Sequence, residues 1–235
     1  MGLPPAAGGA LSAPAGPLAP AEPLERPGVG LEVEDGGESP PASFAGVDPV
    51  PVARFAMSSL GGPVDGHSLP EVPPAGAAAF SRCGRYRWWL RRCWDPARPP
   101  LLFVGLNPSR ADGHRADPTL RRLLSYAAAW GFGSLEVLNL FALVATDPAL
   151  LRRSADPVGR RNDAWIRRAL RRRPQAPVWI GWGNQGRWRG RDQELLALLE
   201  RLGRGPLALD RTAAGLPRHP LYCPARLTLR SFAAS

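Results

Sequence analysis

The chain has 235 residues, room for one sizeable domain or two small ones, and a formal net charge of +10. All 30 basic residues are arginine, which excludes a lysine Schiff base and a phosphate-cradling P-loop lysine. No stretch is long and apolar enough to cross a membrane as a helix.

Three cysteines with no close pair fit a reducing cytoplasm rather than a disulfide framework. They also fall short of the four ligands usual for an iron–sulfur cluster. Neither a cofactor nor a metal is expected, and a monomer is the default.

Residues 1–80 are rich in Pro, Ala and Gly and hold two arginines against nine acids. This composition predicts a disordered acidic tail. One reading is a start placed too early, with Met57 as the true first residue; another is a tail that folds over and screens the rest. Residues 81–235 carry 28 arginines against 11 acids, a formal +17. Such an excess points to a polyanionic partner, most simply nucleic acid and DNA before RNA, with solubility alone as the alternative.

In chain order, RCGRYRWWLRRCW (82–94) predicts a strand or short hairpin that opens the domain. LLFVGL (101–106) is the first central strand. DPTLRRLLSYAAAWG (117–131) is a helix capped by Asp117, with Pro118 at its first position and Gly131 as its stop. LEVLNL (135–140) is a second strand, and DPALLRR (147–153) a short helix. DPVGRRNDAWIRRALRRR (156–173) repeats the Asp-Pro signal and predicts a basic helix. PVWIGWG (177–183) is a third strand, RDQELLALLERLG (191–203) an amphipathic helix and PLALD (206–210) a fourth strand. GLPRHPLYCP (215–224) is too rich in proline for a central strand. Alternating apolar strands and helices predict an α/β fold of three layers, with a parallel four-stranded sheet covered by helices on both faces.

In such a sheet the carboxyl ends of the strands share one edge, where α/β proteins hold ligands. The segments at that edge are Gly105-Leu106-Asn107-Pro108-Ser109, then Asn139-Leu140-Phe141-Ala142, Gly181 to Gly186, and Arg218-His219-Pro220-Leu221. They offer amides, a histidine and backbone N–H groups suited to reading a flat polar ring.

GLNPS, VLNLFAL, VWIGWGNQGR and RHPLY, in that order, resemble the four signature segments of the uracil-DNA glycosylase superfamily over roughly residues 100–222. LNPS, the following DPT, NLFA and RHPLY also resemble the bacterial group known as domain of unknown function 1643. The superfamily resemblance implies a glycosylase-like fold and hydrolysis of the N-glycosidic bond of a damaged base flipped out of nucleic acid. It implies that Asn107 positions the attacking water, that Asn139 reads the amide face of the base, and that His219 stabilises negative charge on the base oxygen. Ser109 stands where many relatives have glycine, and Leu221 where they have serine.

The expected catalytic set is therefore Asn107, His219 and Asp112, the last as an added acid–base group. Gly105, Pro108, Ser109, Asn139, Phe141, Trp182 and Asn184 are expected to line the substrate site, Phe141 and Trp182 by stacking. Arg110, Arg160, Arg161, Arg187 and Arg218 are expected on the nucleic-acid backbone, with Arg152, Arg153 and Arg167 as further phosphate contacts.

Each residue also has a plain structural role available. Asn107 before Pro108 suits a turn, Asp117 a helix cap, and the arginines of 160–173 a solvated face. Two other functions stay open: a non-catalytic binding module on the same fold, and a hydrolase of free nucleosides or nucleotides.

Overall fold

The computed structural model describes residues 31–33, 75–109 and 116–233. Their strands form one mixed sheet: β1 (Leu31–Val33), β2 (Ala75–Ser81), β3 (Arg87–Cys93), β4 (Pro100–Gly105), β5 (Ser134–Asn139), β6 (Val178–Ile180), β7 (Pro206–Ala208) and β8 (Arg230–Ser231). The order across the sheet is β1-β2-β3-β5-β4-β6-β7-β8.

The expected four-stranded sheet is thus too small. β4 pairs in parallel with β5 and β6, and β6 in parallel with β7. Antiparallel pairing joins β3 to β5, β2 to β3 and β8 to β7. The extra strands escaped the sequence for compositional reasons. β2 is AGAAAFS, which blends into the Pro/Ala/Gly-rich segment before it, so the domain boundary expected at residue 81 falls at the end of a paired strand. The small side chains of Ala78 and Ala79 are buried there. Most of the tail expected to be disordered lies outside the described residues.

The helices are α1 (Pro118–Ala129), α2 (Pro148–Arg153), α3 (Asn162–Arg172) and α4 (Arg191–Arg201). α1 and α2 begin on the Asp-Pro signal: Asp117 accepts from the Leu120 N–H and Asp147 from the Ala149 N–H. The third Asp-Pro does not start a helix. The Asp156 carboxylate accepts from the Gly159 N–H instead, and the chain turns through a positive φ at Gly159, where a Cβ would lie 2.6 Å from Trp88. The basic helix that the segment was expected to run into therefore begins at Asn162, past this turn.

Alternate residues of the sheet feed two cores. Leu101, Phe103, Leu135, Val137 and Trp179 pack with Leu120, Leu123 and Leu124 of α1. Leu102, Val104, Leu138, Val178 and Ile180 pack with Trp165, Ile166 and Leu170 of α3 and Leu195 and Leu199 of α4. Helices thus cover both faces. No helix among the described residues is long and apolar enough to cross a membrane.

Candidate functional site

At the carboxyl ends of β4, β5 and β6 lies a cavity of about 740 Å³. Its wall brings together Gly105, Asn107 and Ser109 after β4, Asn139 at the end of β5, Trp182 and Asn184 after β6, and Arg218 and His219 after β7. The start of α1 adds Asp117, and β3 adds Arg87 from below.

Asn139 is 3 % exposed, and its Nδ2 is buried without a hydrogen-bond partner. The amide lies close over Gly105: a Cβ there would sit 3.3 Å from Asn139 Oδ1 and 3.0 Å from the Phe103 ring. Leaving such a donor unpaired costs about 1–3 kcal/mol.

The strand end that carries Asn139 is fixed from behind by residues that motif reading passed over. Asn162, fully buried, donates from Nδ2 to the carbonyls of Asn139 and Leu140, each at 3.0 Å. Arg191 donates to the Leu140 carbonyl through Nε and Nη2, and it is held by Asp163 at 2.6 Å and by Glu194. Nothing in the local sequence marks Asn162, which sits at the first turn of a helix between charged residues. Only the fold brings it to β5.

Asn107 is half-buried. Its Nδ2 donates to the Ala145 carbonyl at 2.7 Å and to the Pro108 carbonyl at 3.1 Å. These bonds brace the loop after β4 against the loop after β5, and Oδ1 takes no part in them. The Ser109 hydroxyl bonds Asp117 Oδ2, while Asp117 Oδ1 accepts from the Leu120 N–H at 2.7 Å. Asp117 is therefore the helix cap it was expected to be, and it also contributes a carboxylate to the cavity wall.

His219 precedes a 3-10 turn over Pro220–Tyr222, and its Nδ1 accepts from the Leu221 N–H at 3.3 Å. That bond puts the proton of the neutral ring on Nε2. Burial holds the imidazole below its usual value, and the Asp117 charge pulls weakly the other way. The cavity thus holds a neutral imidazole with one N–H to donate. The turn behind it is anchored: Arg122 and the Tyr126 hydroxyl both donate to the Cys223 carbonyl, and Tyr126 also to that of Pro224.

Other expected residues fall elsewhere. Phe141 is fully buried, packs its ring 5.1 Å from that of Trp188, and is not part of the cavity wall. The strand ends at Asn139, and the next two residues turn into the core, which removes Phe141 as a stacking group. Trp182 does reach the wall, although it is only 2 % exposed. Of the expected backbone arginines, Arg218 lines the cavity, paired with Asp210 at 3.3 Å. Arg187 lies outside the wall and donates to the Ala214 carbonyl. Arg160 and Arg161 precede α3, away from the wall. Arg110 and Asp112 lie outside the described residues. Among the described residues no group of three or more His, Cys, Asp or Glu could hold a metal ion.

A family profile described as Protein of unknown function (DUF1643) matches residues 87–221. The chain belongs to this family. The DUF1643 span opens on Arg87 and closes on Leu221, so it contains the cavity-lining residues named above and omits β1 and β2. No curated protein and no solved structure matches the chain.

Proposed function

We propose that this DUF1643 protein recognises a nucleobase in nucleic acid, in the manner of a uracil-DNA glycosylase-like enzyme, and hydrolyses the N-glycosidic bond of a flipped, damaged base. The observation that carries the reading is Asn139, a buried amide in the wall of a cavity with no partner for its Nδ2. A base edge presenting an acceptor supplies the missing bond. The four parallel neighbours β5-β4-β6-β7, with helices on both faces, are compatible with such a frame.

The chemistry follows from charge development. As the bond breaks, the sugar carbon becomes positive and the base negative. His219 donates from Nε2 to the base oxygen, which a neutral imidazole does without first losing a proton. Asn107 uses Oδ1 to accept a hydrogen bond from water, since its Nδ2 is committed to Ala145 and Pro108. The base enters by flipping out of its stack, at a cost of a few kcal/mol.

A second reading has its own support. Both bonds of Asn107 Nδ2 brace backbone, and the stacking partner expected at Phe141 is buried in the core. These favour a module that binds a base without turnover.

The test incubates the full chain with single- and double-stranded oligonucleotides carrying uracil, hypoxanthine, xanthine or an alkylated base, and scores abasic sites. Release that falls at least about 100-fold in His219→Ala supports catalysis, on the scale of a lost charge-stabilising donor. Binding without release supports the module. Neither binding nor release from any substrate removes both readings.

A further inference from the structure

A flat base in the cavity finds hydrogen-bonding groups for its edge, and the question is what covers its face. Phe141 is turned into the core. Phe103 and Trp182 do reach the wall, but each is 2 % exposed. Backbone lies against both rings: a Cβ on Gly105 or Gly181 would sit 3.0 Å from Phe103, and one on Gly186 2.0 Å from Trp182. Phe103 also meets Trp179 edge-on at 4.8 Å. Too little of either ring is open to cover a base.

Tyr222 is the contrast. It lines the same wall and is 74 % exposed, and its neighbour Leu221 lines the wall at 41 %. Large apolar side chains standing singly in water need no explanation. Leu150 and Leu202, the other exposed ones among the described residues, are of that kind and lie away from the wall. Leu221 and Tyr222 instead stand side by side at the cavity, on a braced turn. The Tyr222 N–H donates to the His219 carbonyl at 3.0 Å, and the Cys223 N–H to that of Pro220 at 3.2 Å. With the bonds from Arg122 and Tyr126 to the Cys223 carbonyl, they fix the backbone on both sides of an open ring. A tyrosine held in this way has few torsions left to lose on contact.

The place of the ring decides what it meets. Its centroid lies 5.8 Å from that of His219, with 55° between the planes, so the imidazole does not stack on it. A base that accepts from His219 Nε2 sits beside the Tyr222 ring.

We propose that Tyr222 is the stacking residue of the cavity, laying its ring on the face of a base whose edge is bonded by Asn139 and His219. The inference rests on base recognition as proposed above and holds with or without turnover. It gives two side chains separate work. Asn139 distinguishes bases by their acceptors, whereas Tyr222 supplies affinity that all bases share, because every base has a π-face. The role expected of Phe141 thus falls to a residue on the turn after β7.

The experiment compares the full wild-type chain with Tyr222→Ala and Tyr222→Phe by fluorescence anisotropy, read before any base is released. The probes are single-stranded oligonucleotides carrying uracil, hypoxanthine, xanthine or an alkylated base, and the same strand with a stable abasic sugar at that position. Equal circular dichroism and melting temperature establish that the variants are folded. The wild type is expected to bind at least one base-bearing strand more tightly than the abasic strand. Tyr222→Ala is expected to weaken that binding at least about fivefold, the lower end for one lost base–aromatic stack, and to leave the abasic strand unchanged. Tyr222→Phe keeps the ring and is expected to bind as the wild type does. Unchanged binding in Tyr222→Ala, an equal loss on the abasic strand, or an equal loss in Tyr222→Phe overturns the stacking role while base recognition stands. A wild type that binds every strand alike, or none, overturns base recognition and the stacking role with it.

Discussion

Strand β5 carries two buried polar side chains three residues apart, and the protein treats them differently. Glu136 is 5 % exposed and Asn139 3 %. Both oxygens of Glu136 receive a donor, from Trp89 and Arg173. Asn139 keeps a donor unmatched at the wall of a large cavity, although Asn162 and Arg191 lavish hydrogen bonds on the backbone beside it. Buried polar groups that serve the fold are mostly closed by it, although Asn162 Oδ1 is not. Asn139 differs in that it lines a large cavity, and under the proposed function the cost of its open donor is recovered when a base binds.

Stability measurements can break that contrast. The largest effect is expected from Phe141→Ala, at about 3–5 kcal/mol in chemical denaturation, the usual cost of emptying a buried aromatic site. A small loss there would return Phe141 to the list of ligand contacts. Glu136→Gln comes next. It removes the carboxylate paired with Arg173, and because Arg173 retains some contact with water the cost is about 2 kcal/mol rather than that of a fully buried pair. Asn139→Leu is expected to change stability by no more than about 1 kcal/mol, because it removes an unsatisfied donor at similar volume. A loss as large as that of Glu136→Gln would mean that Asn139 serves the fold after all.

The smallest expected effect concerns pH. The folded-state value of His219 is depressed by burial, so the unfolded chain takes up its proton first as pH falls. The contribution of His219 to stability is complete above its ordinary value of about 6.5 and is lost progressively below it, down to the folded value. Melting temperature should fall between pH 7.5 and pH 5, and more gently in His219→Gln. Parallel curves for the two proteins would show that His219 is not held neutral by the fold.

How much of this could be read from the chain depends on whether the signal is local. The strands ending at Gly105 and Asn139, the caps at Asp117 and Asp147 and the turn at His219 were legible, because apolar runs, Asp-Pro pairs and proline clusters act over a few residues. β2 was hidden by its alanines, which resemble tail more than strand. The basic helix is legible too, but its exact start is not, because Asp156-Pro157 carries the same signal as two helix starts yet leads into a turn at Gly159 packed against Trp88, far away in sequence. Asn162 is invisible in the sequence because it acts where α3 meets the end of β5, and no local window contains both. Phe141 shows the opposite error, a motif neighbour given a role that its inward turn denies.

The most direct test of the central claim, that Asn139 is held open for a base, is a binding titration of the full chain and of Asn139→Leu. The probes are two fluorescent oligonucleotides that differ only at one base, a damaged one against its normal counterpart. The account predicts tighter binding of the damaged strand by the wild type, and discrimination that falls about tenfold or more in Asn139→Leu while the melting temperature holds, the scale of one lost hydrogen bond to a buried partner. Discrimination unchanged in the variant would contradict it.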